Sequence, residues 1–246
     1  MARMGKKRLR PGGKRATEWL LERGRLGPET RVFEAACNMG TTAIELARRF
    51  GCAVTACDLD EEALRKAAVN VRKAGLEGRV TLHHADATNL PFAGDAFDVV
   101  INEAMLTMLP PDKKKAAVAE YCRVLRPGGV LLTHDVELMA ASSKEQSLIR
   151  QELSRAINVP VQPLSEEDWQ ALFRDAGFGP VEVLRGKMTL MSVQGMLYDE
   201  GPFNAVKVVA NGIRPANRKM FLGMRDVFMR RRNQLGFIAV ASTKSV

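Results

Sequence analysis

The sequence predicts an α/β protein whose helices cover both faces of a mostly parallel, doubly wound sheet. Strand and helix patterns alternate regularly between residues 31 and 135, which is typical of βαβ units. The apolar runs from Val99 to Ile101 and from Val130 to Leu132 are typical of strands that are buried on both faces. Apolar residues make up 46% of the chain and aromatic residues only 6%, which favours a layered helix-and-sheet fold over an all-β fold.

The first half of the chain contains five predicted strands separated by helices, which implies parallel neighbours joined by right-handed crossovers. The helix over Glu61–Ala74 has the clearest period, because its apolar residues recur at i, i+3, i+4 and i+7. Gly75 follows it, where a helix often ends in a left-handed residue. In chain order the predicted elements are a helix from Arg15 to about Arg25, a strand over Arg31–Ala35, a helix over Thr41–Phe50, a strand over Ala53–Asp58, the helix over Glu61–Ala74, strands over Val80–His83 and Phe97–Ile101, a helix over Lys113–Leu125 and a strand over Val130–Asp135.

The second half of the chain is less regular. Helices are predicted over Ser143–Ile157 and Glu166–Ala176, and strands over Val181–Leu184 and Phe237–Ala241. The connection between these last two strands, residues 186–235, has a mostly helical pattern. A connection of this length is uncommon and is often functional. We therefore predict a helical insertion before the last strand.

The charge of the chain is positive and uneven. There are 37 Lys and Arg residues against 28 Asp and Glu residues, which gives a formal net charge of +9. Basic residues are concentrated in residues 1–13 and in the predicted insertion. This charge attracts anions such as RNA or acidic metabolites, although solvated faces and a loose tail explain it equally well. We predict a separate basic segment over residues 1–13, either loose or only conditionally ordered, and one domain over residues 14–246.

The sequence contains no pattern for a metal site, a secretory signal or a membrane span. The four cysteines form no CxxC pair and no cluster with zinc spacing. The N-terminus is charged and lacks an apolar core, and no apolar run reaches the roughly 20 residues that cross a bilayer. Free thiols within apolar runs suit a reducing compartment, so we expect a cytoplasmic protein that binds no metal.

Small or acidic residues follow four of the predicted strands. In an open parallel sheet, ligands bind beyond the carboxyl ends of the strands, near the point where the strand order reverses. The four positions are therefore expected to converge on one ligand site. They are the loop Glu34–Thr42, Asp58 with Leu59, Asp86 with Ala87, and the segment Asn102–Met105.

Each position has a structural interpretation beside the ligand-binding one. The helix start at Thr41 offers free N–H groups, but its loop is also an ordinary strand-to-helix turn. Asp58 can accept hydrogen bonds from ribose hydroxyls or cap the next helix, for which Asp60 is better placed. Asp86 can accept from an exocyclic adenine amine or close a turn. The agreement in order, spacing and strand-end placement favours ligand binding.

The stretch from Val32 to Asp135 resembles the core of class I S-adenosylmethionine (SAM)-dependent methyltransferases. It looks most like the small-molecule branch that includes ubiquinone and menaquinone methyltransferases. The resemblance lies in the motifs VFEAACNMGTT, VTACDLDEEAL, HHADATNLPF, FDVVINEAML and RVLRPGGVLL. It implies a Rossmann-like sheet of seven strands whose last strand is antiparallel, with SAM as the methyl donor and S-adenosylhomocysteine (SAH) as the product.

The resemblance also implies roles for single residues. Glu34 and Gly40 match the acidic residue and the last glycine of the family's loop, and Asp58 matches its ribose-binding acid. The chain departs from the pattern at Ala36 and Asn38, where glycines are usual, although Asn tolerates a left-handed backbone. Asp86 matches the residue near the adenine amine, and Asn102 and Glu103 match the segment beside the methionine part. The predicted cofactor-binding residues are Glu34, Ala36, Asn38, Gly40, Thr41, Asp58, Leu59, Asp86, Ala87, Asn102 and Glu103.

Methyl transfer from a sulfonium is an in-line displacement, which needs alignment of donor and acceptor and exclusion of water. A general base helps only where the acceptor loses a proton. The predicted catalytic residues are His134 and Glu103, with Asp135 as a further candidate base; His134 is alternatively a solvent-exposed residue at a strand end. We expect residues 186–235 to cap the acceptor pocket. Its apolar wall would come from Met188, Met191, Met196 and Met220.

We expect the methyl acceptor to be a small molecule, anionic or apolar, and the protein to be a monomer or a homodimer. An RNA methyltransferase is the alternative enzyme, because the net charge is positive, but few aromatic residues are available to stack bases. A SAM-binding module without catalysis is the other alternative, because the glycine loop departs from the family pattern.

Overall fold

A seven-stranded sheet with helices on both faces forms the centre of the protein in a computed structural model, which describes residues 10–140, 142–189 and 193–245. The strands are β1 (Arg31–Ala35), β2 (Ala53–Asp58), β3 (Val80–His84), β4 (Phe97–Glu103), β5 (Leu125–Leu138), β6 (Phe178–Lys187) and β7 (Leu235–Lys244). The helices are α1 (Gly13–Arg23), α2 (Thr41–Phe50), α3 (Glu61–Ala74), α4 (Pro111–Val124), α5 (Ser143–Ile157), α6 (Glu166–Asp175), α7 (Val193–Gly212) and α8 (Pro215–Arg230).

The strand order is β3-β2-β1-β4-β5-β7-β6, and β7 runs antiparallel to both of its neighbours. The predicted seven-stranded sheet with an antiparallel last strand is therefore confirmed. From the middle of the sheet, β1, β2 and β3 follow one another toward one edge, and β4 and the later strands lie toward the other edge. The strand order thus reverses between β1 and β4, and Ala35 at the end of β1 lies beside Asn102 of β4. This is the edge at which the predicted site residues end.

Two apolar cores lie on opposite faces of the sheet. Successive residues of β1 point to opposite faces, so Phe33 joins one core and Val32 the other. The core around Phe33 is covered by α4 and α6, and contains the buried rings of Tyr121 and Trp169. The core around Val32 is covered by α1, α2 and α3, and contains Leu20 of α1.

Local sequence signals fix several helix boundaries. The Asp60 side chain accepts hydrogen bonds from the amides of Glu62 and Ala63, so it caps the start of α3. Gly75 ends the same helix in a left-handed conformation, as predicted. The hydroxyl of Ser142 caps α5 in the same way. The predicted bounds of α2, α3, α5, β1 and β2 agree with the structure.

The N-terminal residues differ from the prediction. Residues 1–9 lie outside the described part of the chain, but Arg10, Pro11 and Gly12 are buried, so a loose segment over 1–13 is wrong for its last residues. The amide of Gly12 donates a hydrogen bond to Nε2 of His134 at 2.8 Å. A Cβ on Gly12 would lie 2.4 Å from the ring of Phe237, so the backbone passes directly over β7. This close approach holds Arg10 at the sheet.

The strands at the antiparallel edge are longer than predicted. Strand β5 begins at Leu125 and includes Pro127 and Gly128, a pair whose residue types favour a turn after the preceding helix. Strands β6 and β7 pair as far as Lys187 with Gly236, because antiparallel ladder bonds continue beyond the apolar centre of each strand. Helices α7 and α8 occupy the connection between them, and α7 has a non-helical residue at Gly201.

Candidate active site

A cavity of about 450 Å³ opens at the carboxyl ends of β1, β2, β4 and β5. This size is ordinary for a small-molecule site, for which volumes of roughly 300–1,000 Å³ are common. One side of the cavity is polar and is formed by the β1–α2 loop, Asp58, Glu103 and Arg10. The other side is apolar and includes residues from α5 and α8.

The β1–α2 loop forms a tight turn without the usual glycines. Ala36, Asn38 and Gly40 all have left-handed backbones, with φ values of 56°, 49° and 72°. The amide of Cys37 donates to the carbonyl of Cys57 at 2.8 Å, which ties the loop to the end of β2. Ala and Asn therefore adopt the conformation for which family members use glycine.

Asp58 lies at the wall of the cavity and organises this loop. Its Oδ2 accepts a hydrogen bond from the amide of Asn38 at 2.7 Å, and its Oδ1 accepts from the amide of Asp60 at 2.9 Å. Because Asp60 caps α3, the capping role is not taken by Asp58. The Asp58 carboxylate keeps lone pairs that a ligand can use.

Glu103 binds the N-terminal segment to the sheet. Its Oε2 lies 2.8 Å from Nε of Arg10 and accepts from the Thr42 hydroxyl, while its Oε1 accepts from Thr17 at 2.9 Å. Nδ1 of His134 lies 3.5 Å from Oε1. Burial alone would raise the pKa of Glu103, but Arg10, His134 and Thr17 together lower it to about 2. Glu103 is therefore an ionised anchor at neutral pH.

Arg10 presents an unused hydrogen-bond donor at the cavity. Only 3% of its surface is exposed, and the residue lines the cavity. Nε pairs with Glu103 and Nη2 donates to the Thr42 hydroxyl at 2.8 Å, but Nη1 has no partner among the described residues. A buried guanidinium N–H without a partner is costly.

Glu34 provides the complementary group. It is buried at the end of β1, and its Oε2 has no hydrogen-bond partner in the described structure. Burial and the nearby charge of Glu103 raise the pKa of Glu34 to about 8, against the opposing effect of Arg10. Glu34 therefore holds a proton at neutral pH while the cavity contains no cation.

A second polar group faces the cavity from the end of β5. The fully buried Asp135 accepts hydrogen bonds from the amides of Thr107 at 3.0 Å and Val136 at 2.8 Å, and burial raises its pKa. The Thr107 hydroxyl has no partner among the described residues. Lys114 lies nearby with its pKa lowered by burial to about 8, and it donates to the carbonyl of Gln162.

The remaining wall of the cavity is apolar. Its residues come from the segment after β4, from β5 and α5, from the loop after α5, and from α8. They are Met105, Met108, Leu109, Val136, Leu153, Ile157, Val159, Val161, Met220, Met224 and Phe228. Of the four methionines predicted for this wall, Met220 lines the cavity, whereas Met188 packs beside Leu138. Met191 and the side chain of Met196 lie outside the described residues.

The structure brings part of the predicted cofactor set together. Glu34, Ala36, Asn38, Thr41, Asp58 and Glu103 all line the cavity. Gly40, Leu59, Asp86, Ala87 and Asn102 do not line it. The cofactor-binding roles of all the residues in this set stay predictions. The Asp86 carboxylate accepts from the amide and hydroxyl of Thr88, and the Asn102 amide donates to the Thr133 hydroxyl. Gly40 begins α2, and Leu59 is exposed to solvent.

His134 lies behind the cavity wall. It is fully buried, so the alternative interpretation as a solvent-exposed strand end is wrong. Because Nε2 accepts from Gly12, its proton belongs on Nδ1, which faces Glu103. Its catalytic role stays a prediction, and these contacts favour a role in positioning Glu103 and the N-terminal segment.

Sequence reasoning missed Arg10 and Thr107. Arg10 stands among several basic residues before Pro11, and its spacing relative to the strand-end motifs carries no signal. Thr107 lies just beyond the Asn102–Met105 segment. Both residues reach the cavity through tertiary contacts, with Glu103 and with Asp135 respectively.

Comparison with known proteins identifies relatives of this chain. Residues 32–129 match the family model described as a methyltransferase domain. The chain is 48% identical over 244 residues to an uncharacterised protein of Haemophilus influenzae, which covers 99% of this chain and 96% of that protein. It is 39% identical over 129 residues to the methyltransferase GfsG of Streptomyces halstedii, which covers 52% of this chain and 45% of that protein.

A solved structure shares the fold across nearly the whole chain. It is geranyl diphosphate C-methyltransferase from Streptomyces coelicolor in complex with Mg²⁺, geranyl diphosphate and SAH. The TM-score is 0.69 at 15% identity, covering 94% of this chain and 78% of that chain. This chain spans about half the length of the methyltransferases that it matches by sequence.

Proposed function

Because the chain belongs to the class I SAM-dependent methyltransferases, with SAM as methyl donor, we propose that its acceptor is a small apolar molecule. This molecule presents one polar group to Asp135. The observation that carries the proposal is the composition of the cavity wall. Beyond the polar side formed by Arg10, Glu34 and Asp58, the wall is aliphatic or methionine-rich, with Asp135 and Thr107 as the polar exceptions.

The residues on the polar side fit the cofactor. Asp58 has lone pairs for the ribose hydroxyls. The unpartnered Nη1 of Arg10 suits the carboxylate of the methionine part, and the unpartnered Oε2 of Glu34 suits its ammonium group. When bound, SAM supplies an electrophilic methyl group on a sulfonium. These side chains hold and orient the donor, which reduces the entropic cost of aligning it with the acceptor.

The apolar side of the cavity suits an acceptor whose apolar surface is removed from water when it binds. Met105, Met220, Met224 and Phe228 form a wall that can adapt to acceptor shape, since thioethers are flexible and polarisable. Burial of an apolar acceptor excludes water from the transfer step. Asp135 can accept a hydrogen bond from a hydroxyl or amine of the acceptor, and so turn its lone pair toward the methyl group. Its raised pKa suits a base where the acceptor must lose a proton.

The alternative acceptor, an RNA base, has less support. The net charge of +9 remains its motivation. Among the residues that the structure describes, the wall around Met224 and Phe228 is apolar and lacks the stacked aromatic platforms and basic side chains that bind single-stranded bases.

A substitution on the acceptor side tests the proposal. We expect SAH formation with 4-hexylphenol or 4-hexylaniline to exceed that with glycine or ethanolamine. Met224→Arg places a charge in the apolar wall and should raise the KM for the apolar acceptor at least tenfold, or about 1.4 kcal/mol, while the SAM affinity changes little. Met229→Arg is the matched control, because Met229 lies on the same helix but outside the wall. Turnover confined to the polar acceptors, or equal effects of both variants, would refute the apolar acceptor.

A further inference from the structure

Helix α7 presents an apolar face to solvent. Phe203, Val206 and Ile213 are 92%, 68% and 55% exposed, and the small residue Ala210 lies between them. The opposite face of the helix is buried through Ala205 and Val208. These exposed residues recur at intervals of three and four, so they form one continuous stripe. Single exposed apolar residues are common, but a stripe of this kind marks an interaction surface.

Cations that form no ion pair among the described residues lie on the same helical hairpin as this stripe. Lys207 lies one turn after Phe203 on the exposed side, and Arg214 follows Ile213 directly. Arg218 and Arg225 on α8 are also exposed, and none of these four cations forms an ion pair within the described residues. On the exposed side of α8, Leu222 and Met229 alternate with them. The α7–α8 hairpin therefore combines exposed apolar residues with positive charge that no carboxylate of the described chain neutralises.

We propose that the exposed face of α7, defined by Phe203, Val206, Ala210 and Ile213, docks on an anionic lipid bilayer. α7 itself has one Lys, Lys207, and the other cations lie at Arg214 and on α8. A helical hairpin that exposes apolar residues, one of them a large aromatic, beside such cations is suited to lie against a bilayer, with its apolar side chains among the acyl chains and its cations at the headgroups. No helix among the described residues has the length and hydropathy to cross a membrane. The docking is therefore peripheral.

The charges on this surface favour a bilayer over two other occupants, a second copy of the chain and RNA. A symmetric dimer needs a self-complementary patch, and the described side chains of this face include Lys207 and Arg214 but no carboxylate that could pair with them across the interface. RNA would pair with the cations and can stack a base on Phe203, but it leaves the aliphatic Val206 and Ile213 without an apolar partner. An anionic bilayer complements both parts of the surface.

Docking here would serve the acceptor site. Residues on other sides of the same α8 helix, Met220, Met224 and Phe228, line the apolar wall of the cavity. An apolar acceptor, which rests on the proposed function, resides in a bilayer rather than in water. A hairpin that contacts the bilayer with one surface and the acceptor with another would bring the two together.

Vesicle sedimentation tests the proposal without any turnover. We expect the full chain to bind phosphatidylcholine vesicles that contain about 40% phosphatidylglycerol, to bind pure phosphatidylcholine weakly, and to lose binding as salt rises from about 0.1 M to about 0.5 M. Phe203→Ser with Val206→Ser should reduce the affinity at least about tenfold, and Arg214→Gln with Arg218→Gln by a similar factor.

Matched controls lie on α3. Val69→Ser removes an exposed apolar residue, and Arg72→Gln with Lys73→Gln removes two exposed charges, far from the hairpin in sequence. These variants should bind vesicles as the parent does. Circular dichroism and SAH affinity, equal for all variants, establish that the fold is intact.

Three results would overturn the proposal. These are absent binding to anionic vesicles, equal losses in the α3 controls, and a dimer in sedimentation equilibrium that Phe203→Ser dissociates. Displacement of the protein from vesicles by RNA with no effect of Phe203→Ser would assign the surface to RNA. Because this assay reads no methyl transfer, vesicle binding and an apolar acceptor can fail independently.

Discussion

At the scale of the residue, the cavity is defined by unsatisfied groups of opposite charge type. Arg10 has a donor without a partner, and Glu34 has an acceptor without a partner, among the residues that the structure describes. Each is buried, so each gains from a ligand more than an exposed group would. We propose that a zwitterionic amino-acid moiety satisfies both.

The raised pKa of Glu34 leads to a prediction of pH dependence. In the free protein the carboxyl is protonated below about pH 8, and a ligand ammonium favours its ionised form. SAH binding should therefore release a proton at pH 7, and affinity should rise as the pH increases toward 8. Calorimetry in two buffers with different ionisation enthalpies measures the number of protons released. Glu34→Gln should bring this number close to zero, and an unchanged number in that variant would contradict the assignment.

The raised pKa of Glu34 makes the stability of the free protein depend on pH in the direction opposite to that of ligand affinity. The pKa of Glu34 is about 8 in the folded state and 4.5 as the ordinary value, so the folded chain holds the proton more tightly. This contribution to stability is complete below about pH 4.5 and is lost as the pH rises through about 8. Ligand affinity and the Glu34 contribution to folding therefore change in opposite directions with pH.

Some site residues are predictable from the sequence and others are not. Glu34, Asp58 and Glu103 stand at strand ends, and the sheet topology brings all strand ends to one edge. The sequence does not predict which of His134 and Asp135 lines the cavity. Neighbouring residues on a strand point to opposite faces of the sheet, and the apolar pattern does not show which face borders the cavity. Asp135 faces the cavity, and His134 packs against Glu103.

At the scale of the element, prediction and structure agree best where a side chain or a glycine fixes the boundary. Helix α3 begins after the Asp60 cap and ends at left-handed Gly75, and both predicted bounds are confirmed. Strands β5, β6 and β7 are longer than predicted, because their ends are stabilised by pairing with one another rather than by their own apolar residues. The burial of Arg10 to Gly12 depends on the distant residues Glu103 and His134, which local sequence does not disclose.

The β1–α2 loop gives a prediction for its one glycine. Gly40 has a φ of +72°, and a Cβ there would lie 3.3 Å from Cβ of Ala67 in α3. Gly40→Ala should therefore cost about 1–2 kcal/mol of folding free energy and lower the melting temperature by several degrees. Gly78→Ala is the control, because a Cβ at Gly78 would have no atom within 4 Å and the φ of Gly78 is not positive. Thermal unfolding followed by circular dichroism measures both, and a loss in Gly78→Ala as large as in Gly40→Ala would show that the left-handed turn is not the cause.

At the scale of the whole molecule, one topology accounts for the site and for its two halves. The reversal of strand order between β1 and β4 opens a crevice, in which β1 and β2 supply the side that we propose for the cofactor. The antiparallel edge carries α7 and α8 on a long connection, and α8 supplies part of the apolar wall that we propose for the acceptor. The number of strands and the antiparallel direction of the last strand follow from the alternating pattern and the family resemblance. The packing of α8 over the cavity does not, because a helical pattern gives no direction of packing.

Calorimetric titration with SAH is the most direct test of the central claim that SAM binds at the carboxyl ends of β1, β2 and β4. The parent chain should bind SAH at one site, and Asp58→Asn should weaken binding at least tenfold, since a charge-assisted hydrogen bond contributes about 1.5–3 kcal/mol. Asp60→Asn keeps a good helix cap next to the site and should bind as the parent does. Failure of the parent chain to bind SAH, or equal binding by the parent and Asp58→Asn, would contradict the account.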